Sequence, residues 1–308
     1  MSEEKNIKFK SQLYRALLLP ISILPMPILY LLADLFFILV LIIGYRRKVI
    51  TTNLKNSFPE KSDREIRKIR VKFYRHFCDL FVETIALLTI SHKSIKKRVV
   101  VKNAEAIQES IDKGKDVIAV LGHYGNWEWA PTVSLHIDNA RGVAVYRPLK
   151  NKPFDDFMLK LRSVYNSLNI PIRTIARSIV TFRKNNERFI LGLISDQSPS
   201  RYELNYWTTF LNQHTPIILG PEKMCKLAKA DIVYWKMEKL RRGKYQITII
   251  PYPGDVESDP EFSITEWHVR LLEEQINENP QYWLWSHKRW KYQHLYNPKT
   301  MKSASYEQ

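Results

Sequence analysis

From Val99 onward, short β-branched runs alternate with amphipathic helical patterns, and this alternation narrows the available folds more than any other feature of the chain. Strands are predicted for VVVK at 99–102, DVIAVL at 116–121, GVAVYR at 142–147, FILGLIS at 189–195, DIVYWKM at 231–237 and YQITIIP at 245–251. Helices are predicted near 104–113, 127–137, 153–166, 176–185, 221–229 and 264–278. Strands joined through helix-length crossovers run parallel, since a tight turn can only reverse the chain. The expected fold class is therefore α/β, with a mainly parallel central sheet flanked by helices. Neither an internal repeat nor a low-complexity linker interrupts the pattern, and 308 residues suffice for a sizeable core.

Ahead of this region lies ALLLPISILPMPILYLLADLFFILVLIIGY at 16–45, almost wholly apolar apart from Asp34, with prolines at Pro20, Pro25 and Pro27. The part from Ile28 to Gly44 is long enough to cross, or nearly cross, a hydrocarbon core of ~30 Å as a helix rising ~1.5 Å per residue. A cleaved signal peptide fits poorly, because the apolar run is too long and Tyr45-Arg46-Arg47 offers no small-residue cleavage site. Basic residues flank both ends, Lys5, Lys8, Lys10 and Arg15 before and Arg46, Arg47 and Lys48 after, so charge leaves the orientation open. A single span and a hairpin-like monotopic insertion are both compatible with the run. Residues 1–45 are read as an N-terminal hydrophobic membrane-anchor helix and residues 46–308 as one folded domain. A short basic helix should end near Phe58-Pro59, and Ser62-Asp63-Arg64-Glu65 should start a long amphipathic one.

Charge is the compositional outlier. Lys and Arg number 48 against 31 Asp and Glu, a net +17, which favours anionic lipid surfaces, a strongly acidic carrier protein or nucleic acid. The basic residues are dispersed and no nucleic-acid module is recognisable, so nucleic acid is not expected as a partner. Cys78 and Cys225 supply neither a disulfide framework nor metal-ligand spacing.

The chemistry concentrates in DVIAVLGHYGNWEWAPT at 116–132. His123 sits where an apolar strand leaves the sheet, the place where ligands gather in open α/β folds. Gly125 permits a tight turn, Asn126 is a good helix N-cap, and Trp127-Glu128 open the next helix. From the first helical turn Glu128 is expected to fold back and accept a hydrogen bond from His123 Nδ1. That would fix the tautomer and leave Nε2 as a base for an alcohol, which is a poor nucleophile unaided. The helix N-terminus beside it suits developing negative charge.

GHYGNWEW resembles the H-x4-D/E motif of the late lipid A biosynthesis acyltransferase family, which is related to the glycerolipid acyltransferases. Further blocks resemble that family in the same order: YRRKVITTNLKNSFPE at 45–60, YRPLKN at 146–151 with Arg162 downstream, GLISDQ at 192–197, and PQYWLWSHKRWK at 280–291. The resemblance covers essentially the whole chain. It implies a glycerolipid acyltransferase-like fold and direct transfer of an acyl chain from acyl carrier protein to a hydroxyl of a lipid A precursor. The site of action it implies is the cytoplasmic side of the bacterial inner membrane, with no acyl-enzyme, no metal and no cofactor. His123 would be general base and Glu128 its partner. The segment after Asp196-Gln197 reads SPSRYELNYWTTFLN and lacks the glycine-rich aromatic wording of many members.

Other residues fit beside that motif. Arg147, Lys150, Asn151 and Arg162 offer donors suited to phosphate or phosphopantetheine groups. Asp196 and Gln197 end a strand and can approach the same sheet edge, where Asp196 reads equally as a second carboxylate acting on His123 or the acceptor and as a structural turn residue. Trp285 and Arg289, with their aromatic and basic neighbours, suit a membrane-interface lip or a headgroup contact, whereas His287 reads as a packing histidine. Two other activities compete: transfer to another glycolipid or aminolipid, and thioester hydrolysis. Hydrolysis through a Ser or Cys elbow is not supported, because no G-x-S-x-G segment occurs. A basic binding protein without catalysis is the remaining alternative.

Overall fold

A computed structural model describes residues 3–165, 167–298 and 302–303. Residues 1–2, the last position of the helix predicted at 153–166, and the rest of the C-terminal tail lie outside the described residues.

Prolines punctuate the apolar N-terminus. Helix α1 (Glu3–Ser22) ends just before Pro25, and α2 (Met26–Ile43) begins after it, with Pro27 in the first turn where a missing N–H costs nothing. Gly44, at φ 69°, closes α2 as a left-handed cap. Helix α3 (Arg47–Ser57) stops at Phe58-Pro59, and α4 (Asp63–Ala86) starts on a reciprocal capping box between Ser62 and Glu65. The short α5 (His92–Lys96) leads into the sheet.

The alternating part then runs β1 (Val99–Lys102), α6 (Glu105–Asp112), β2 (Val117–Leu121), a 3₁₀ segment (Trp127–His136), β3 (Arg141–Tyr146), α7 (Lys152–Arg162), β4 (Leu168–Pro171), α8 (Ile175–Lys184) and β5 (Phe189–Ile194). It continues through the hairpin β6 (Tyr206–Phe210) and β7 (Gln213–Pro216), then α9 (Gly220–Ala228), β8 (Asp231–Arg241), β9 (Lys244–Pro251) and α10 (Ser263–Glu278). A two-residue strand β10 (Lys302–Ser303) completes a small second sheet with order β10-β6-β7.

The main sheet has seven strands in the order β1-β9-β8-β2-β5-β3-β4, parallel throughout except for the β8–β9 hairpin. All five residues of β2 are buried, as expected of a central parallel strand covered on both faces. Their alternation sorts the two layers. Ile118 and Val120 join a core with α2, α4 and α10, while Val117, Ala119 and Leu121 join one with α6, α7 and the 3₁₀ segment. The structure thus has the mainly parallel, helix-flanked α/β architecture that the alternation predicts. Strands β4, β6 and β7 were not expected. LNIP at 168–171 is too short and proline-marked to stand out, and β6 lies within the segment SPSRYELNYWTTFLN, with β7 directly after it.

Candidate active site

Strand register brings the two halves of the site together. Leu121, the last residue of β2, pairs with Ile194, the last residue of β5. Two residues beyond each lie His123 and Asp196, side by side at the carboxyl edge of the sheet. His123 Nδ1 is 2.6 Å from Asp196 Oδ1. The other carboxylate oxygen, Oδ2, accepts the backbone N–H of His123 at 2.9 Å and the indole N–H of Trp283 at 2.7 Å. A carboxylate only accepts, so Nδ1 carries a proton, and in the neutral ring Nε2 is then the nitrogen that presents a lone pair. The Gln197 amide nitrogen lies 3.3 Å from Nε2, and Trp127 meets the imidazole edge-on at 5.2 Å between centroids.

The two members of the pair differ in exposure: the His123 side chain is 17% exposed and that of Asp196 only 3%. Burial pushes the Asp196 carboxyl up, but the His123 charge and the three donated hydrogen bonds outweigh it and hold the group down at about 2. The acid is ionised throughout the neutral range.

Glu128 does not play the part expected of it. His123 and Glu128 share no hydrogen bond; Arg162 takes both Glu128 oxygens, Nε to Oε2 at 2.8 Å and Nη2 to Oε1 at 2.5 Å. Two physical causes combine. The orienting position on the ring is already filled by Asp196 from the neighbouring strand. In addition, the segment after Asn126 winds as a 3₁₀ helix, not an α-helix, with Pro131 inside it, so the first turn carries Glu128 toward the C-terminal end of α7. A forked guanidinium–carboxylate pair of this kind fixes two elements in one geometry.

The His123 loop is held from beneath by α4. Gly125 adopts φ 60°, and a Cβ there would lie 2.9 Å from Met237 Cγ, so both conformation and space demand glycine. His76 Nε2 meets Gly125 O at 3.1 Å. Asn126 caps the 3₁₀ segment through Trp129 N–H and donates its amide to Glu83 at 2.7 Å. Glu83 also accepts hydroxyls from Tyr30 and Tyr245 at 2.8 Å each, and burial pushes its carboxyl up. From the other side Leu284 N–H donates to His123 O, and Gly125 N–H to Tyr282 O.

The C-terminal block is therefore a buttress, which corrects the expectation of a membrane lip. Trp285 is 0% and Arg289 1% exposed. Asn53 donates its amide to Trp285 O, Phe58 packs on the Trp285 ring at 5.8 Å, and Arg289 donates to Pro216 O. The blocks at 45–60 and 280–291, far apart in sequence, meet here. His287 is the packing histidine it was read to be: Nε2 accepts Ser198 N–H at 3.2 Å, and burial lowers the ring to about 4.

Of the remaining expected residues, Gln197 and Arg162 join the site as described. Asn151 caps α7 through Phe154 N–H, a structural task. Arg147 and Lys150 are exposed on the loop after β3, at the same carboxyl edge but one strand further out. Trp283, Glu83 and His76 were missed. For the last two a signal existed: His76, Asp79 and Glu83 recur at helical spacing among apolar residues of α4, where a solvated stripe would not be.

Comparison with known proteins adds two findings. Residues 4–292 match the family model described as bacterial lipid A biosynthesis acyltransferase. The lipid A biosynthesis lauroyltransferase of Escherichia coli (strain K12) is 22% identical over 271 residues, a similarity covering 87% of each chain.

Proposed function

The chain belongs to the bacterial lipid A biosynthesis acyltransferase family and is an acyltransferase, and from that premise we propose direct transfer from an acyl carrier protein thioester to a hydroxyl of a lipid A precursor. The work is placed on the cytoplasmic side of the inner membrane, with residues 1–45 as anchor and 46–308 as catalytic domain. One observation carries the reading: at the carboxyl edge of the sheet, a buried carboxylate fixes one ring nitrogen of a partly exposed histidine, and the other faces only the Gln197 amide at 3.3 Å.

The steps follow from that geometry. Nε2 of His123 takes the proton of the incoming hydroxyl as its oxygen attacks the thioester carbonyl. Asp196 stabilises the imidazolium without taking its proton. When the tetrahedral intermediate collapses, the C–S bond breaks and the imidazolium returns the proton to the departing thiolate. General-base assistance of this kind is worth about 10²–10⁴ in rate. Gln197, beside Nε2, is placed to donate to the attacking oxygen or the thioester carbonyl. Glu128 and Arg162 position the segment that follows the histidine. This chemistry uses no acyl-enzyme and no metal. An acidic carrier suits a chain of net charge +17, and Arg147 and Lys150 at the sheet edge suit its phosphopantetheine phosphate.

The test is a purified-protein assay with acyl carrier thioester, with and without the lipid acceptor, read by mass spectrometry. Acylated lipid that requires both the acceptor and His123 is expected. Equal release of free fatty acid in both arms would replace transfer by hydrolysis. An acylated glycolipid or aminolipid outside lipid A would move the acceptor and keep the chemistry.

A further inference from the structure

By length and composition α2 qualifies as a bilayer span: its 18 residues reach roughly 27 Å, against a hydrocarbon core of ~30 Å. Its surroundings contradict a crossing. Helix α2 lies antiparallel along α4. The turn before α2 is tied to the residues just past α4, with Thr89 Oγ1 donating to Ser22 O at 2.6 Å, and its far end is tied to the first half of α4, with Tyr74 OH donating to Tyr45 O at 2.7 Å. Midway between, Arg242 from the β8–β9 turn places two nitrogens 2.9 Å from the Asp34 carboxylate, and Arg75 reaches it at 3.3 Å. Arg242 also binds Asp79 at 2.6 Å, and Lys239 joins Asp79 at 3.0 Å.

Were α2 to cross, this ion cluster would sit at mid-membrane, where every Arg, Lys and Asp is costly to bury. The preceding helix would also be stranded. Tyr14 of α1 packs edge-on against Phe154 and Phe157 of α7, and Glu3 pairs with Lys152 at 2.6 Å. A crossing puts α1 and α7 on opposite sides of the bilayer. Yet the outward face of α2 is an apolar stripe at helical spacing, Leu31, Leu35, Ile38 and Ile42, with Ile42 78% exposed. Helix α1 adds Leu13 and Leu17 and carries exposed Arg15 between them, and exposed Arg46 and Lys48 follow the end of α2.

We propose that α1 and α2 form a monotopic wedge seated in a single leaflet, with both ends of α2 and the whole folded domain on one side of the membrane. The stripe takes acyl chains and these cations take anionic headgroups, the arrangement expected of an interfacial amphipathic element. This rests on the membrane location proposed above.

Cysteine labelling in sealed inner-membrane vesicles tests it. Cys78 and Cys225 are buried, so a membrane-impermeant maleimide reads thiols introduced at the exposed positions Asn6→Cys in α1 and Lys113→Cys after α6. Both are expected to label in the same vesicle orientation. Labelling in opposite orientations overturns the single-leaflet geometry and leaves the membrane location standing. Recovery of the full chain in the soluble fraction overturns both. As a second measurement, Leu35→Asp with Ile42→Asp should weaken partition into phosphatidylglycerol-containing vesicles by about tenfold or more at unchanged thermal stability. Unchanged partition removes the stripe from the contact.

Discussion

Two carboxylates leave the sheet on adjacent loops and meet different fates. Asp196, after β5, is paired with a titratable ring; Glu128, after β2, is paired with a guanidinium that never gives up its proton. Asp196 takes three hydrogen bonds in a nearly sealed setting, while both Glu128 oxygens go to a single fork. The difference separates two jobs that a sequence motif runs together. A carboxylate bonded to an imidazole can set its tautomer and balance its charge during proton transfer. One locked to arginine can only hold backbone elements in place.

The sharpest break in that comparison is removal of the ring. His123→Ala should lower turnover by about 10²–10⁴-fold while leaving the fold intact, because the side chain is at the partly exposed edge. A steady-state assay with unchanged circular dichroism checks this; a loss under tenfold would take the proton transfer away from His123.

Asp196→Asn tests the titratable pair next, with an expected loss on the order of 10²-fold in turnover. Oδ2 faces two donors, the His123 N–H and the Trp283 indole, so the asparagine oxygen stays there and its NH₂ faces Nδ1. That forces the ring proton onto Nε2, the wrong tautomer for a base. The same variant carries a pH signature. Because the folded acid is held at about 2, below its ordinary value, the ionised pair contributes stability above pH ~4 and loses it as pH falls toward 2. The wild-type advantage, roughly 2 kcal/mol by denaturant titration at pH 6, should shrink as the pH falls below 4. A gap that persists at pH 2 would mean the carboxylate charge is not its source.

How much of this the chain announces depends on range. The parallel sheet was legible because each strand is a local run of β-branched residues and each crossover a local amphipathic period. His123, Gly125 and Asn126 were legible for the same reason: strand end, turn and cap are neighbours in sequence. Asp196 was legible as a candidate second carboxylate at that edge but not as the group that orients the ring, since that contact is set by the β2–β5 register between residues 73 apart. Local spacing offered Glu128 instead, and the 3₁₀ winding around Pro131 that turns it away is not readable from a helical pattern. Trp285 and Arg289 looked like surface anchors because composition cannot tell an interface lip from a buried seam.

The arginine-locked pair should behave as one unit. Glu128→Gln and Arg162→Gln are each expected to cost about 10–100-fold in turnover through misplacement of the loop. The double variant should be no worse than either alone, a coupling that a kinetic double-mutant cycle measures. Additive losses would mean that Glu128 reaches the reacting atoms independently of Arg162, and the distinction between the two carboxylates would collapse.

The smallest expected effect concerns the group beside the other ring nitrogen. Gln197 Nε2 stands 3.3 Å from His123 Nε2, a long approach for a hydrogen bond between neutral groups. Such a bond contributes about 0.5–1.5 kcal/mol net, so Gln197→Ala should slow turnover by only about 2–10-fold. Its action should differ from that of Asp196, because it touches the side of the ring where the acceptor hydroxyl arrives and leaves the tautomer alone. The loss is accordingly expected mainly in the apparent affinity for the lipid acceptor, with the shape of the pH–rate profile preserved. A loss beyond 10²-fold in kcat would place the amide on the developing oxyanion, where preorganised donors are worth that much, and would add Gln197 to the catalytic pair.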